Sequence, residues 1–399
     1  MHYDKLSVEQ VSLPGKRVLL RVDFNVPLRD GEVADDTRIR AALPTIRYLL
    51  EQGTHLVTIA SHLGRPRGKV VPELRLNPVA RRLEVLLGWP VKKMDQVTGP
   101  QVQEAVAESS PGTVILLENL RFEEGEEKND PELSRQLAEL ADLFVNDAFG
   151  TAHRAHASTV GVANYIPAVA GLLMTREIEF LSRCLEKPNR PLVAILGGAK
   201  ISDKLGVIRR FLTMADCLLI GGGMANTFLA ALGYDLADSL YERDLAASAR
   251  ELWEKSQHSR CRLLLPVDLV IAKDLQPGSP SRTITVPPGA VPAGWKAVDI
   301  GPATADRYGS EISGAKMVIW NGPLGVFETE PYHRGTEEVA RSIAGSGAFS
   351  VVGGGDIVAA LEKFGLTGQI SFISTGGGAT LEFWEGKSLP GIAVLKDRS

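Results

Sequence analysis

The sequence of 399 residues has few cysteines and no long apolar run. Its three cysteines, Cys184, Cys217 and Cys261, are odd in number and far apart, which argues against a disulfide framework and a CxxC-type zinc site. No uncharged stretch reaches the roughly 18 to 20 residues that span a bilayer, and the N-terminal MHYDKLSVEQ lacks the apolar core of a secretion signal. We therefore expect a cytoplasmic protein that is not embedded in a membrane.

The sequence also lacks an excess of charge of one sign and the common nucleotide-binding motifs. Lys and Arg number 44 and Asp and Glu number 48, so the net charge of -4 provides no overall field that would attract nucleic acid. There is no GxxxxGK[ST] loop, no HRD or DFG motif and no GxGxxG. A basic site would have to be local, and a nucleotide site would have to be of another kind.

Short apolar runs alternate with amphipathic helical segments along the chain, and its length exceeds the roughly 250 to 300 residues at which single cores stop growing. This alternation predicts an α/β fold with two doubly wound parallel-sheet (Rossmann-like) domains joined by an interdomain helix and hinge. Ligands in such folds bind beyond the carboxyl ends of the strands. The predicted strands lie in RVLLRVDFNVP, HLVTIASHLGRP, TVILLENLRF, LFVNDAFG, VAILGGAK, CLLIGGGMAN, MVIWNGP, FSVVGGGD and ISFISTGGGAT.

The boundary between the domains is predicted at a helical segment. The segment GLLMTREIEFLSRCLEKPNRP, residues 171–191, has helical spacing and reaches Pro188 and Pro191, which end helices. We place the first domain at 1–170 and the second at 192–388. Residues 276–294 are rich in Pro, Gly and Ser, so we interpret them as a surface excursion within the second domain.

Basic and polar side chains follow the predicted strands of the first domain. Arginine binds phosphate and carboxylate oxygens with a planar fork of donors, so several arginines together suit a small ligand that bears both groups. Asp23 and Asn25 could hold a hydroxyl of that ligand. A single arginine is more simply a solvated surface charge, but repetition at four strand ends favours a shared cleft. The candidates are Arg21, Asp23, Asn25, Arg38, His62, Arg65, Arg121, Arg154 and His156.

Two lysines follow the first strand of the second domain. Lys200 and Lys204 come after Gly197 and Gly198, and we predict that both lie on one flank of a helix as an i,i+4 pair. Like charges at this spacing repel each other, and cations at a helix N-terminus oppose the helix dipole, so a bound anion would stabilise the pair. The alternative is two exposed lysines that Asp203 partly neutralises. The apolar face of the predicted helix is Ile201, Leu205, Ile208 and Leu212.

Three glycine triplets, 221–223, 353–355 and 376–378, each close a predicted strand of the second domain. Without side chains, backbone amides can approach a phosphate or a base, although tight packing would also explain a single triplet. Asp356 is the candidate ligand for Mg²⁺, and capping the next helix is the alternative role for this residue. Glu328 could accept the ribose hydroxyls or simply be exposed.

Over essentially its whole length the sequence resembles the phosphoglycerate kinase family. So many long motifs in the same order make the resemblance highly specific. It implies a phosphotransferase that acts on ATP or ADP and on 3-phosphoglycerate or 1,3-bisphosphoglycerate, with Mg²⁺. The motifs are RVDFNVP, DDTRIRAALPTI, SHLGRP, ENLRF, NDAFGTAHRAHAS, LGGAK, DKL, GGGMANTF, WNGPLGVFE, GGGD and STGGGA.

The resemblance also implies a role for individual residues. Those implied to bind phosphoglycerate are Asp23, Phe24, Asn25, Arg38, His62, Leu63, Gly64, Arg65, Arg121 and Arg154. Those implied to bind nucleotide are Gly198, Lys200, Lys204, Gly222, Asn321, Pro323, Glu328, Gly354, Gly355, Asp356 and Ile357, with Asp356 next to the metal. Those implied to act in catalysis are Arg38, Lys200, Gly354 and Gly377.

Further expectations follow from the same resemblance. Residues 389–399 should return to the first domain, and the protein should be a hinge-bending monomer that binds neither nucleic acid nor membrane. Ile357 departs from the family pattern, in which Thr or Ser follows GGGD and supplies a hydroxyl to the nucleotide phosphate. Two rival interpretations are a non-catalytic two-lobed protein that closes on an anion, and a kinase for another small carboxylic acid.

Overall fold

The computed structural model describes residues 4–286 and 291–398. The chain forms two compact units, one within residues 1–179 and 388–399 and the other within residues 180–387. The residue at which the chain passes from the first unit to the second lies inside a helix, Leu172–Glu186. Among the described residues, no helix is long and apolar enough to cross a membrane.

The first unit is built on a sheet of six parallel strands. Its buried strands are rich in Val, Ile and Leu, as expected for a sheet that is covered on both faces. The order across the sheet is β5-β6-β4-β1-β7-β8, so the direction of winding reverses between β1 and β7. Strands β2 and β3 form a separate hairpin. The strands are β1 Arg17–Arg21, β2 Leu28–Arg29, β3 Glu32–Val33, β4 Leu56–Ala60, β5 Lys92–Lys93, β6 Thr113–Leu116, β7 Leu143–Asn146 and β8 Ala168–Ala170.

Helices connect these strands and begin and end at residues suited to those positions. Asp130 caps one helix through its side chain, and Gly88 ends another in the left-handed conformation that glycine readily adopts. The helices are α1 Thr37–Glu51, α2 Asn77–Leu87, α3 Pro100–Ala107, α4 Glu124–Glu127, α5 Pro131–Ala138 and α6 Leu172–Glu186. The C-terminal segment belongs to the same unit: the amide of Gly391 donates to Ala152 O at 2.8 Å, and Lys5 pairs with Asp397 at 2.7 Å.

The second unit contains another sheet of six parallel strands, in the order β11-β10-β9-β15-β16-β17. This is the strand order of a dinucleotide-binding Rossmann sheet, and its winding reverses between β9 and β15. The predicted fold class is therefore confirmed. The strands of this unit are β9 Leu192–Leu196, β10 Cys217–Ile220, β11 Arg262–Leu264, β12 Asp268–Ala272, β13 Ser281–Thr285, β14 Lys296–Ile300, β15 Met317–Asn321, β16 Phe349–Gly353 and β17 Phe372–Ser374.

The helices of the second unit pack on this sheet around a core that includes Trp320, Tyr308 and Ile357. Each glycine triplet lies where a strand gives way to a helix. The helices are α7 Leu205–Met214, α8 Gly222–Ala231, α9 Ala246–Gln257, α10 Pro302–Ser313, α11 Arg334–Ser346, α12 Gly355–Lys363 and α13 Gly378–Trp384; a short helix, α14 Pro390–Ala393, follows in the first unit.

The segment interpreted as a surface excursion contains regular structure. Strand β13 pairs antiparallel with β12, and with β14 they form a three-stranded sheet in the order β13-β12-β14. Residues 281–285 belong to the second unit and are mostly exposed, which agrees with a surface excursion within that domain, but their polar side chains gave no apolar pattern that would have predicted the strand. Residues 287–290 of that segment lie outside the described part of the chain.

The prediction that Lys200 and Lys204 form an i,i+4 pair on one flank of a helix is wrong. Helix α7 begins only at Leu205, Lys204 is its N-cap residue, and a 3₁₀ turn occupies Ser202–Lys204. Lys200 lies before that turn and is exposed, whereas Lys204 is buried. The two amines therefore have different environments. On the apolar face, Ile201, Ile208 and Leu212 are buried as predicted, and Leu205 is half-buried.

Candidate functional site

A hydrogen-bonded cluster joins several strand ends at the carboxyl edge of the first sheet. Asp23 follows β1 and accepts a hydrogen bond at 2.6 Å from Arg38, which lies in the first turn of α1. Asn25 Oδ1 accepts from the amide of Gly64 at 2.8 Å, and Gly64 O accepts from Arg121 at 2.7 Å. These bonds bring together predicted site residues that follow β1, β4 and β6.

Backbone amides of this edge are already bonded within the unit. The amide of Phe24 donates to Ser61 Oγ at 2.8 Å, and the amide of Leu63 donates to Asn119 Oδ1 at 3.1 Å. Together with the bond from Gly64, these account for all three amide donors of the predicted site residues Phe24, Leu63 and Gly64. A ligand contact by these residues would therefore use their other atoms.

His62 lies buried among the arginines of this edge. Burial lowers its pKa well below the usual 6.5, and the guanidinium groups of Arg21, Arg121, Arg154 and Arg38 lower it further. Asp23 is the nearby carboxylate, at 4.0 Å from His62 Nδ1. The imidazole is therefore neutral at pH 7, and the positive charge of the edge comes from arginine.

The remaining predicted residues of this edge differ in exposure. Arg154 is half-buried, and its Nε donates to His153 Nε2 at 3.1 Å. Burial lowers the pKa of His153 to about 4, with Arg154 lowering it further. Arg65 is exposed, directly after Gly64. Arg121 is buried, and its Nε lies 3.1 Å from Glu127 Oε1. An exposed Arg65 and a partly accessible Arg154 leave donors available to a ligand.

Sequence reasoning missed the residues that support this edge from within. Asn119 is fully buried and its side chain bonds to Leu63 and Leu74, which holds the loop after β4. Glu126, in the acidic run EEGEE, is fully buried and accepts from Ser158. An acidic run reads as a solvated surface, so the local sequence gave no signal for Glu126.

In the second unit a cavity of about 300 Å³ lies where the winding of the sheet reverses. Gly222 has a φ of 67°, and a Cβ there would lie 2.7 Å from Gly198 O, so glycine is required at this close approach. Five of the predicted nucleotide-binding residues line the cavity: Gly198, Gly222, Pro323, Glu328 and Asp356. Its other walls, which the sequence did not indicate, include Asn226, Leu240, Leu269, Leu275, Val298 and Asp299.

Lys204 and Asn321 hold the turns around this cavity together. The Lys204 ammonium donates to Gly197 O and, at 3.3 Å, to Asn321 O, while Asn321 Nδ2 donates to Gly353 O. Burial lowers the pKa of Lys204 from 10.5 to about 8, and Asp356 and Asp203 act in the opposite direction. A buried titratable group with a shifted pKa next to a cavity is typical of a functional site.

Asp356 lies in the first turn of α12 and is exposed beside the cavity. Gly354, with a φ of 117°, occupies the N-cap position, and this helix start has no side-chain cap among the described residues, so Asp356 does not have the alternative capping role. One carboxylate with room for phosphate oxygens and water fits the way Mg²⁺ binds. No group of three or more His, Cys, Asp or Glu side chains that could hold a metal occurs in the described ranges.

The loop that carries Lys200 is anchored by Glu242, a residue that the sequence did not indicate. Glu242 Oε2 accepts from the amides of Ile201 and Ser202 at 2.6 and 3.0 Å. Gly377 has a φ of 54° and a ψ of -112°, a backbone conformation that requires glycine. The side chain of Ile357 is fully buried in the core, so only its backbone could reach a ligand.

Comparison with known proteins identifies the family. The family model described as phosphoglycerate kinase matches residues 8–387. A phosphoglycerate kinase of Moorella thermoacetica is 57% identical over 394 residues, which cover 99% of this chain and 100% of that protein. Solved structures of phosphoglycerate kinases from Coxiella burnetii and Pyrococcus horikoshii OT3 align with TM-scores of 0.88 and 0.86, at 45% and 37% identity, over 98% of each chain in both cases. The chain therefore belongs to the phosphoglycerate kinase family, and the predicted resemblance is confirmed.

Proposed function

We propose that this member of the phosphoglycerate kinase family reversibly transfers a phosphoryl group from 1,3-bisphosphoglycerate to ADP, giving ATP and 3-phosphoglycerate, as in glycolysis and gluconeogenesis. The family makes the chain a kinase and a transferase. The observation that carries the assignment of the nucleotide site is the cavity at the reversal point of the second sheet, whose wall residue Gly198 lies against the buried amine of Lys204.

The phosphoglycerate site is proposed at the carboxyl edge of the first sheet. Arg38, Arg65, Arg121 and Arg154 would bind its phosphate and carboxylate oxygens, because guanidinium groups present paired donors to such oxygens. His62, neutral at pH 7, would contribute a hydrogen bond rather than a charge. Of the remaining site residues, Asp23 and Asn25 suit the substrate hydroxyl, and Phe24, Leu63 and Gly64 would shape the edge.

The nucleotide is proposed to bind in the cavity of the second unit. Gly198, Gly222 and Pro323 line it, as do Glu328 and Asp356. Lys204 and Asn321 would support the phosphate-binding turns, and the amides of Gly355 and Ile357 at the start of α12 would face phosphate, as amides do at helix N-termini. Mg²⁺ would be held by Asp356 and would neutralise phosphate charge when it is bound.

Catalysis is proposed to rest on alignment and electrostatics. Phosphoryl transfer proceeds through a loose transition state with charge on the equatorial oxygens. Arg38 is half-buried and Lys200 is exposed, so solvent can reach both cationic groups. The backbone of Gly354 and Gly377 would face the phosphoryl group that is transferred. In-line transfer requires the reacting atoms within about 3 to 3.5 Å. We therefore include a hinge-bending step, with a hinge in residues 171–191 between domains 1–170 and 192–388.

The proposal also covers the cellular location and the oligomeric state of the enzyme. The three cysteines are buried and unpaired, which suits the reducing cytoplasm. The small-molecule substrates require no second copy of the chain, so we propose a monomer with no nucleic-acid or membrane partner.

The decisive test is phosphorylation of 3-phosphoglycerate by ATP and Mg²⁺, with the acyl phosphate product trapped by hydroxylamine. Glycerate and other small carboxylic acids serve as comparison acceptors. We expect trapped product with 3-phosphoglycerate and at least tenfold less with the others, because the phosphate contacts would be lost. Equal or greater turnover of another acid would refute the substrate assignment.

A further inference from the structure

Glu126 is a fully buried carboxylate beneath the carboxyl edge of the first sheet. Its neighbours in the sequence, Glu124 and Glu127, are exposed. Burial of a charge is costly unless the charge is paired and hydrogen-bonded. Here the hydroxyl and the amide of Ser158 donate to Glu126 at 2.6 and 3.0 Å. Burial alone would raise the pKa of Glu126, but His156, Arg21 and Ser158 outweigh it and lower the pKa below its usual value.

Ser158 connects this carboxylate to a buried guanidinium. Arg21 Nε donates to Ser158 Oγ at 2.9 Å, and a further guanidinium nitrogen donates to Val22 O. A guanidinium has donors and no acceptor, so the hydroxyl of Ser158 accepts from Arg21 and its single proton must go to Glu126. The donor and the acceptor are therefore determined for the hydrogen bonds that join Arg21, Ser158 and Glu126.

The same argument determines which nitrogen of His62 carries the proton. Arg21 Nη2 donates to His62 Nδ1 at 3.2 Å. Because Nδ1 accepts, a neutral His62 must carry its proton on Nε2. The charged groups that face this ring are Arg21, Arg38, Arg121 and Arg154, with Asp23 at 4.0 Å. These four cations disfavour protonation of Nδ1 to an imidazolium.

We propose that Glu126 is a positioning residue that acts through Ser158 and Arg21 to hold His62 neutral, with its N–H on Nε2. His62 then presents a single donor of fixed direction to an oxygen of the bound phosphoglycerate. This inference rests on the proposed function for its ligand, but the state of His62 does not depend on turnover. In His153 the accepting nitrogen is Nε2, which receives a hydrogen bond from Arg154. A neutral His153 therefore carries its proton on Nδ1, so the two histidines have different tautomers.

The first test reads the tautomer directly in the unliganded full-length protein. Long-range ¹H–¹⁵N NMR spectra of ¹⁵N-histidine-labelled protein distinguish a protonated from an unprotonated ring nitrogen, and His62→Gln identifies the His62 signals. We expect Nε2 protonated and Nδ1 unprotonated from pH 6 to pH 8. A proton on Nδ1, or titration of His62 within this range, would overturn the proposal, whether or not the enzyme acts on 3-phosphoglycerate.

The second test separates Glu126 from its exposed neighbour. Glu126→Gln keeps the shape but removes the charge, and Ser158→Ala removes the connecting hydroxyl, while Glu124→Gln is the matched control. We expect the first two to shift the His62 signals and raise the KM for 3-phosphoglycerate by about 10-fold to 100-fold, as for a lost hydrogen bond to a charged group. The KM for ATP should change by less than about threefold, and the control should match the wild type.

Two outcomes contradict the positioning role. Glu126→Gln and Ser158→Ala proteins with wild-type His62 signals and KM for 3-phosphoglycerate would show that the connection has no effect on the site. An equal increase in the KM for 3-phosphoglycerate and in the KM for ATP would show a general structural defect instead. Should Glu126→Gln not fold, Ser158→Ala decides, because it leaves Glu126 in place with the amide of residue 158 as donor. A wild type inactive on 3-phosphoglycerate would refute the proposed function alone.

Discussion

The buried amine of Lys204 predicts a specific dependence of stability on pH. Its pKa is about 8 in the folded protein, because burial disfavours the ammonium, against 10.5 in an unfolded chain. Between these values the unfolded state binds more protons than the folded state. The free energy of unfolding therefore rises with pH in this range. The ammonium destabilises the fold below about pH 8, and this penalty disappears as the pH rises from 8 to 10.5.

The magnitude follows from the two pKa values. Between pH 7 and pH 9.5 the titration of Lys204 should add about 2 kcal/mol to the free energy of unfolding, from proton linkage between a pKa of 8 and one of 10.5. Lys204→Met cannot titrate, so it should lack this increase. Loss of the hydrogen bonds to Gly197 and Asn321 lowers its stability by an amount independent of pH.

The assay is urea unfolding of wild type and Lys204→Met at half-unit steps from pH 7 to pH 9.5. Tryptophan fluorescence suits it because four of the five tryptophans lie in the second unit, at positions 253, 295, 320 and 384. The difference between the two proteins isolates Lys204, and Lys200→Met, which removes an exposed amine from the same loop, is the control. A difference that stays constant or falls with pH would refute the reasoning.

Three further predictions concern single residues. Lys200→Ala should lower kcat by about 100-fold or more with a smaller effect on nucleotide binding, and a normal kcat with a raised KM in steady-state assays would contradict the transition-state role. Arg154→Lys and Arg65→Lys should each weaken 3-phosphoglycerate binding about tenfold in calorimetric titrations, because a lysine has no fork of donors; unchanged affinity would remove that arginine from the site. Ile357→Thr should lower the free energy of unfolding by about 1 to 3 kcal/mol in urea titrations, because it places a hydroxyl in the core; unchanged stability would mean that the hydroxyl finds a buried partner.

The strands and their carboxyl ends could be predicted because a buried parallel strand appears in the sequence as a short apolar run. The rule that ligands bind beyond those ends then selects the residues that follow each run. The bonds that Gly64 makes with Asn25 and with Arg121 show that residues from separate runs do meet at one edge.

The features that the sequence did not indicate depend on partners far along the chain. Glu126 is buried because Ser158 and Arg21 are close to it, 32 and 105 positions away, and nothing within EEGEE distinguishes it from Glu124. Strand β13 pairs along its backbone with β12, which does not require apolar side chains. Burial and backbone pairing of this kind are properties of the folded chain and leave little local pattern.

Lys200 and Lys204 show how a small difference in local structure separates two residues that the sequence treats alike. An α-helix that began at residue 200 would place both amines on one flank, but the 3₁₀ turn at Ser202–Lys204 delays the helix to Leu205. Lys204 is thereby buried and bonded to two carbonyls, which fixes its position between the turns. Lys200 stays exposed. An ammonium held by two carbonyls suits a phosphate that stays bound throughout the reaction, whereas an exposed ammonium suits the phosphoryl group during transfer, so the two lysines suit different steps of the proposed reaction.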